Sequence, residues 1–460
     1  MDVFSLLILF SVTVIVYYIS WRKRLMSVLQ KHGINGPKPH LIYGNLLDFK
    51  KEINVKLVDR WLKEYGPVFG YYTGGRPVVI TTDPELLKQV LIKDFKTFHD
   101  RNVPKELSST PIPELATNHL IRKTGNEWKE MRTLLRPAFS ASKLKGSFES
   151  MIDAVDALIE NLENAKKAGE KDVDIYPLFQ GLTLDVIGRT AFGVRTNVQR
   201  DANDPFLNAV RLHLKSSGTR LLDKPILLFP EFASIIFAFR ILYNKLEALF
   251  YTSPLQYVVK MSSQVISERR KNPDLKRQDL LQAMIDGRLT QGMLNSMDYN
   301  SLSGSSEFEK NEPEIEEKGG RQLTDNEILG NTILFFEAGY DTTSTALAYM
   351  SHILVNHQNY QDLIREEVQQ LVNRDGKLDY NTIGQVPFME AVIYETFRMY
   401  PLITFFISRV AEADVKYKNM TIPKGIPVMS PAYNIHYDPQ FWENPTKFDP
   451  FRFYGENKIN

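Results

Sequence analysis

A long apolar periodicity that begins at Thr324 constrains the fold more than any other feature of the sequence. Thr324 is followed three residues later by Glu327, which matches a capping box at a helix start. Apolar residues then recur close to a helical period, at Ile328, Leu329, Ile333, Leu334, Phe335, Phe336, Leu347, Met350, Ile353 and Leu354. This pattern predicts the longest helix of the chain.

The middle of that helix contains residues with poor helix preference, in the run Ala-Gly-Tyr-Asp-Thr-Thr at 338–343. Gly339 costs about 1 kcal/mol relative to Ala in a helix interior. Asp341, Thr342 and Thr343 have side chains that compete for backbone hydrogen bonds. Such a local conflict is typical of a functional site. A surface face with a tolerated glycine explains the helix pattern equally well.

Composition excludes several classes of function. The 56 Lys and Arg residues nearly balance the 55 Asp and Glu residues, so we expect no nucleic-acid partner, which would require a basic excess. The sequence contains no Cys. Disulfides, thiol nucleophiles and thiolate–metal bonds are therefore excluded for these 460 residues.

The N-terminus carries a nearly unbroken apolar run over residues 3–21, followed by Arg22, Lys23 and Arg24. Its length suits a bilayer span of roughly 20 residues. A cleaved signal peptide is the alternative, but no charged segment precedes the run and no small-residue cleavage site ends it. We predict a signal anchor that places the N-terminus in the lumen and the remaining chain in the cytosol.

The rest of the chain divides into a basic and Gly/Pro-rich hinge at 22–40 and one domain at 41–460. Most of the domain is helical in pattern, with short strand signals near 68–80 and 403–428, so we predict a mainly α fold with small β-sheets. The apolar stretch 226–239 is too short to span a bilayer and is either core or a membrane-facing patch. Residues 299–320 are predicted to form a mobile loop.

Three further motifs are weak when each is taken alone. Trp128 and Arg132 lie four residues apart, a spacing that a surface Arg stacked on a half-buried Trp also gives. Glu395 and Arg398, three residues apart, match an ordinary solvated ion pair. The third is Phe-x-Pro-x-Arg-Phe at 448–453. In their order along the chain, after an anchor and a Gly-Pro hinge, these motifs resemble a microsomal cytochrome P450. The amino-acid sequence at 336–344 is most similar to the animal drug- and steroid-oxidising branch, with nematode members especially similar.

The resemblance implies the cytochrome P450 fold, with haem b lying beneath the long helix. Asp341 and Thr342 would be an acid–alcohol pair that relays protons to oxygen. Ala338 and Gly339 would lie at the oxygen site, where glycine permits close backbone approach. The Thr342 hydroxyl would also bond to the Ala338 carbonyl and open the helix locally.

The resemblance also assigns roles to charged residues elsewhere in the chain. The haem propionates would be met by Arg101, Trp128, Arg132 and Arg409, because anionic carboxylates at a partly buried site need charge-assisted donors. A buried ionic triad of Glu395, Arg398 and Arg452 would hold the haem-binding region in place. Phe451 stands where the family usually has Glu.

By resemblance the protein is a monooxygenase of the endoplasmic reticulum membrane. It would insert one oxygen atom of O₂ into a lipophilic small molecule of the xenobiotic, steroid or fatty-acid type. Electrons would come from NADPH through a flavoprotein reductase, for which Lys129, Lys143 and Lys145 are candidate contacts unless they form only a solvated helix face. The loops near Arg101 and the residues 226–239 and 402–407 are expected to line the substrate pocket.

One departure from the family affects the iron ligand. The family's Cys loop, Phe-x-x-Gly-x-Arg-x-Cys-x-Gly, would begin after Arg452, but eight residues follow Arg452 and none is Cys. We therefore expect a domain that is incomplete at its C-terminus and has no axial Cys. The alternative is a non-catalytic pseudo-enzyme or fragment, whereas a purely structural membrane protein does not explain the motif order. His436, Met420 and Met429 are ligand types, but they occupy segments that the family places elsewhere.

Overall fold

The computed structural model describes residues 2–101, 115, 117–192, 196, 198–201, 203–216, 223–247, 249, 254–277, 279–289, 292–293, 320–376, 378–404 and 407–457. Residues 299–319 of the predicted loop and residues 405–406 of the predicted pocket lining are outside these ranges. In chain order, the helices and strands are α1 Val3–Leu25, α2 Val28–Lys31, α3 Asp48–Lys51, α4 Asn54–Tyr65, β1 Val68–Thr73, β2 Arg76–Thr81, α5 Pro84–Lys88, α6 Gly125–Leu135, α7 Ala141–Lys167, α8 Ile175–Ala191, α9 Pro205–Ser216, α10 Asp223–Leu228, α11 Ala233–Glu247, α12 Pro254–Lys271, α13 Leu280–Asp286, β3 Arg288–Leu289, β4 Arg321–Gln322, α14 Asp325–Asn356, α15 Gln358–Asp375, α16 Pro387–Met399, β5 Ile407–Val410, β6 Val415–Tyr417, β7 Met420–Ile422, β8 Pro427–Ser430 and α17 Ala432–His436.

The prediction of a mainly α fold with small β-sheets is confirmed. Among the described residues, the largest sheet has the strand order β1-β2-β8-β5. Strands β1 and β2 form an antiparallel hairpin, β8 runs parallel to β2, and β5 pairs antiparallel with β8. Gly74 has a φ of +60°, which lets the hairpin turn between Thr73 and Arg76 with little backbone strain. Two further sheets, β3–β4 and β6–β7, have two strands each.

The chain divides into two compact units, each with its own apolar core. The first unit comprises Met1–Ser108, Gly218–Glu247 and Thr404–Ile435. The second comprises Ser109–Ser217, Ala248–Ile403 and His436–Asn460. The predicted domain boundaries at residues 21 and 40 are not tested by this division and stay predictions.

Helix α14 is the centre of the second unit. Its start at Asp325 follows the predicted capping box, because the backbone N–H of Glu327 donates to Thr324 Oγ1 at 3.3 Å and the N–H of Thr324 donates to Glu327 Oε2 at 3.0 Å. The helix has 32 residues, and most of its first half is buried. Its apolar side chains pack into a cluster with residues of α6, α8, α9, α12 and α13.

Helix α1 has 23 residues and is long and apolar enough to cross a membrane. The helix continues beyond the apolar run through Arg22, Lys23 and Arg24 to Leu25. Ending a helix on cations is favourable because its C-terminus carries partial negative charge.

Arg22 is buried at the end of α1, with only 1 % of its side chain exposed. Its guanidinium pairs with Glu231 and is 3.1 Å from the Tyr18 hydroxyl. It also donates to the backbone carbonyls of Leu41, Ile42 and Leu228. One cation thus joins the anchor helix to two other segments of the first unit.

The apolar stretch 226–239 folds as α10, a short 3-10 turn over Pro230–Phe232, and the start of α11. Part of the stretch belongs to the core, as one alternative predicted, and part of it is exposed. Ile226 and Ala233 are buried, whereas Ile235 and Phe239 are exposed by 58 % and 65 %.

We expect Arg22→Ala to lower the free energy of unfolding by about 3 kcal/mol or more, because it leaves the Glu231 carboxylate buried without its cation. Urea unfolding of the detergent-solubilised chain, followed by tryptophan fluorescence, measures this. Arg24→Ala is the matched control, since Arg24 is exposed on the same turn. Equal midpoints for the two variants would contradict the proposed role of Arg22.

Candidate functional site

The helix-disfavoured run at 338–343 leaves one face of α14 open in the second unit. Ala338 and Asp341 are exposed, while Phe336 and Tyr340 beside them are buried. The Thr342 hydroxyl donates to the Ala338 carbonyl oxygen, as the resemblance implies. The expected opening of the helix does not occur, because α-helical structure persists from Asp325 to Asn356 and the hydroxyl bond adds to it.

Asp341 is oriented by a tyrosine that the sequence analysis did not identify. The Tyr176 hydroxyl, in the first turn of α8, donates to Asp341 Oδ1 at 2.8 Å and lies 3.4 Å from Thr345 Oγ1. This hydrogen bond fixes the direction of the Asp341 carboxylate. Tyr176 lies 165 residues before Asp341, and no local pattern marks it.

A second acid beside the same run is also paired. Glu337, one residue before Ala338, lies with its Oε1 2.7 Å from His213 Nε2. His213 is on α9 and only 3 % of its side chain is exposed. The pair joins α9 to α14 next to the open face, and the sequence analysis also missed it.

Gly339 faces helix α8. A Cβ atom at this position would lie 3.0 Å from Ile187 Cδ1, which is closer than most real Cβ contacts. The missing side chain therefore lets α8 and α14 pack closely. Its predicted role at an oxygen site stays a prediction.

Trp128 and Arg132 lie on α6 in the second unit, four residues apart, as their spacing predicts. Burial lowers the pKa of Arg132, and the charge of Arg136 lowers it further. Among the described residues, no carboxylate forms an ion pair with Arg132. A buried cation of this kind favours an anion beside it.

Arg409 lies on β5 in the first unit, and its guanidinium is 5.4 Å from the centre of the Phe95 ring. Burial lowers its pKa to about 10, with a further contribution from the positive charge of Arg101. Its Nε has no hydrogen-bond partner among the described residues. An anion here would relieve both the burial of the charge and the repulsion between the two arginines.

Glu395 and Arg398 on α16 form a buried pair, with exposures of 0 % and 2 %. The pair is bidentate, because Arg398 Nε lies 2.7 Å from Glu395 Oε2 and Arg398 Nη2 lies 2.8 Å from Glu395 Oε1. Arg452 is nearby but looser, with its Nε 3.6 Å from Glu395 Oε1. The three residues of the expected triad are thus together, and the role given to them stays a proposal.

The remaining donors and acceptors of this pair bind the backbone of the C-terminal segment. Arg398 donates to the carbonyl oxygens of His436 and Pro445 at 2.8 and 2.9 Å. Glu395 accepts from the backbone N–H of Asp449 at 2.8 Å. This network fixes residues 436–449 against α16.

The donor set of the chain fits one part of haem and not another. Arg101, Arg132 and Arg409 suit the propionates, since Arg132 and Arg409 are partly buried cations with lowered pKa values. Trp128 is one turn from Arg132. The thiolate ligand of the iron cannot come from these 460 residues, which contain no Cys.

The other ligand types are engaged elsewhere. His436 Nδ1 lies 3.0 Å from the Arg398 carbonyl oxygen, and burial lowers its pKa. Met420 and Met429 pack against apolar clusters of the first unit.

Comparisons with known proteins identify the family. A family model described as Cytochrome P450 matches residues 34–460. Cytochrome P450 3A6 from Oryctolagus cuniculus is 31% identical over 436 residues, which are 94% of this chain and 79% of that protein. Cytochrome P450 3A7 from Homo sapiens is 30% identical over 454 residues, 98% of this chain and 82% of that protein.

We expect Gly339→Ala to be neutral or destabilising, although Ala is favoured over Gly by about 1 kcal/mol in a helix. The new methyl group would press on Ile187 and offset that preference. The double variant Gly339→Ala/Ile187→Val removes the pressing methyl group. It should be more stable than the summed stability changes of the two single variants predict. Thermal unfolding in detergent measures the three, and strict additivity would contradict the contact.

Proposed function

Since the chain belongs to the cytochrome P450 family, we propose that it inserts one oxygen atom of O₂ into a xenobiotic, steroid or fatty acid. Family membership makes it a haem monooxygenase that acts on lipophilic substrates. The electrons come from NADPH through a flavoprotein reductase. The observation that carries the proposal is the open face of α14, with its Thr342–Ala338 and Tyr176–Asp341 hydrogen bonds.

The residues of this face hold and move protons. The Thr342 hydroxyl holds its proton at the Ala338 carbonyl, and the Asp341 carboxylate, the next titratable group, is held by Tyr176. A hydroxyl and a carboxylate on adjacent residues can exchange protons through water. Haem, when bound, supplies the redox chemistry that activates O₂.

Four residues are proposed to hold the haem propionates through charge-assisted hydrogen bonds. Arg132 with Trp128 and Arg409 with Arg101 are the proposed donors. The buried pair of Glu395 and Arg398, with Arg452 beside it, keeps the C-terminal segment in place.

The proposed reaction takes place at a membrane surface, where the anchored chain meets its reductase. Helix α1 anchors the chain in the endoplasmic reticulum membrane, with the N-terminus in the lumen and the main domain in the cytosol. Exposed apolar side chains of α11, such as Phe239, suit the same bilayer. Lys129, Lys143 and Lys145 are the proposed contacts for an acidic reductase surface.

A second candidate function rests on the composition. A chain without Cys cannot give iron a thiolate, which favours O–O cleavage. If no thiolate comes from outside these 460 residues, the protein would be a non-catalytic member of the family that keeps the arginines and the fold. The two candidates differ in the iron ligand.

Spectroscopy of the protein isolated from its native membranes tests the function. A thiolate-type ferrous–CO band, with product formed from a lipophilic probe, supports the monooxygenase. The intact mass and C-terminal peptide are measured in parallel against the 53.0 kDa of the 460 residues. A mass of 53.0 kDa without that band favours the second candidate.

We expect the 460-residue chain with added haemin to give no thiolate-type ferrous–CO band, because it has no Cys. The absorption spectrum of the CO-saturated, dithionite-reduced sample measures this. A clear red-shifted thiolate band from sequence-verified material would contradict it.

We expect Arg409→Met to weaken haemin binding and to stabilise the haem-free chain. Burial lowers the Arg409 pKa to about 10, so below that pH the folded chain holds a cation that is less stable than in the unfolded chain. Replacing Arg409 with Met removes this free-energy cost of folding. After allowance for partial solvent screening, we expect the free energy of unfolding at neutral pH to rise by about 1–2 kcal/mol.

Haemin titration and urea unfolding of the haem-free chain measure the two effects. Arg365→Met, at an exposed arginine, is the control and should change neither value. Unchanged haemin affinity in Arg409→Met would remove Arg409 from the propionate site.

A further inference from the structure

A cluster of one histidine and two carboxylates lies in the first unit, outside the residues assigned above. His99 and Asp100 follow α5, and Glu412 follows β5. Two backbone hydrogen bonds hold these segments together. The N–H of Val410 donates to the Asp100 carbonyl, and the N–H of Glu412 donates to the Thr97 carbonyl, each at 3.0 Å. The cluster is therefore fixed by the backbone of both segments.

Two of the three separations within the cluster match the edges of a metal coordination sphere. His99 Nε2 lies 3.2 Å from Asp100 Oδ1 and 3.3 Å from Glu412 Oε1, and all three atoms lie within 4.8 Å of one another. Charge-assisted hydrogen bonds are shorter, at about 2.7–2.9 Å. Ligands about 2.0–2.1 Å from a tetrahedral zinc ion are about 3.3–3.4 Å apart.

The histidine ring is oriented for coordination through Nε2. His99 Nδ1 lies 2.8 Å from the Lys96 carbonyl oxygen, which can only accept a hydrogen bond. Nδ1 therefore donates to this carbonyl, and Nε2 is the ring nitrogen that faces the two carboxylates. A ring N–H bound to a backbone carbonyl is the usual outer support of a metal-ligating histidine. Only 2 % of this side chain is exposed.

We propose that His99, Asp100 and Glu412 bind a divalent transition-metal ion of the zinc class, with water completing the coordination. An imidazole nitrogen and two carboxylate oxygens are ligand types that such an ion takes. Glu412 is 46 % exposed, so an ion can reach the cluster from solvent. The ion joins the segment before Arg101 to the segment after Arg409. The metal site does not depend on the proposed oxidation.

Cobalt(II) is the probe, because its visible d–d absorption reports tetrahedral binding by nitrogen and oxygen ligands. The full-length chain in detergent, first treated with a chelator, is titrated with Co²⁺ and then with competing Zn²⁺. We expect one ion per chain and displacement of cobalt by zinc. His99→Ala and Glu412→Gln should each weaken Co²⁺ binding at least tenfold.

His32→Ala is the matched control. His32 is in the same unit, and its Nδ1 also lies 2.8 Å from a backbone carbonyl, that of Val28. It belongs to no metal-binding group among the described residues. Its loss should leave cobalt affinity unchanged.

Two results would overturn the proposal. One is cobalt binding that Glu412→Gln leaves unchanged, a variant at an exposed side chain that should fold normally. The other is no d–d band from the unsubstituted chain at millimolar Co²⁺. In the second case the three side chains contact one another without a metal ion.

Discussion

The buried ion pair between Glu395 and Arg398 determines how the second unit is completed. Removing two charges from water is costly, and such pairs contribute little net stability. A buried ion pair instead constrains the fold, because each of its remaining hydrogen-bond donors and acceptors needs a partner. Arg398 meets this requirement at the carbonyls of His436 and Pro445, so the chain has to return to α16. The aromatic packing of Phe388 against Phe451, with ring centres 5.4 Å apart, follows from that return.

Short-range patterns in the sequence predicted the elements that depend on neighbouring residues. The capping box predicted the start of α14, the strand signals near 68–80 predicted β1 and β2, and the apolar run at 3–21 predicted α1. Pairings across long sequence separations were not predicted. Tyr176 meets Asp341 across 165 residues and His213 meets Glu337 across 124, with no motif at either partner. Only packing of the helices brings these groups together.

Two of the three arginines proposed for the propionates, Arg132 and Arg409, were found by resemblance alone and share a physical property. Arg132 in the second unit and Arg409 in the first both have pKa values lowered by burial. A fold retains a disfavoured cation where something else compensates for it. Their spacing in the sequence does not express this property, which arises only when each unit folds around its own arginine.

The burial of Arg22 has a consequence for the modularity of the protein. A membrane anchor is often treated as a tail that can be exchanged or deleted without affecting the domain behind it. Here the last turn of the anchor supplies the donor for the carbonyls of Leu41, Ile42 and Leu228. A soluble form that begins after Leu25 loses that donor, so the anchor and the domain were shaped as one piece.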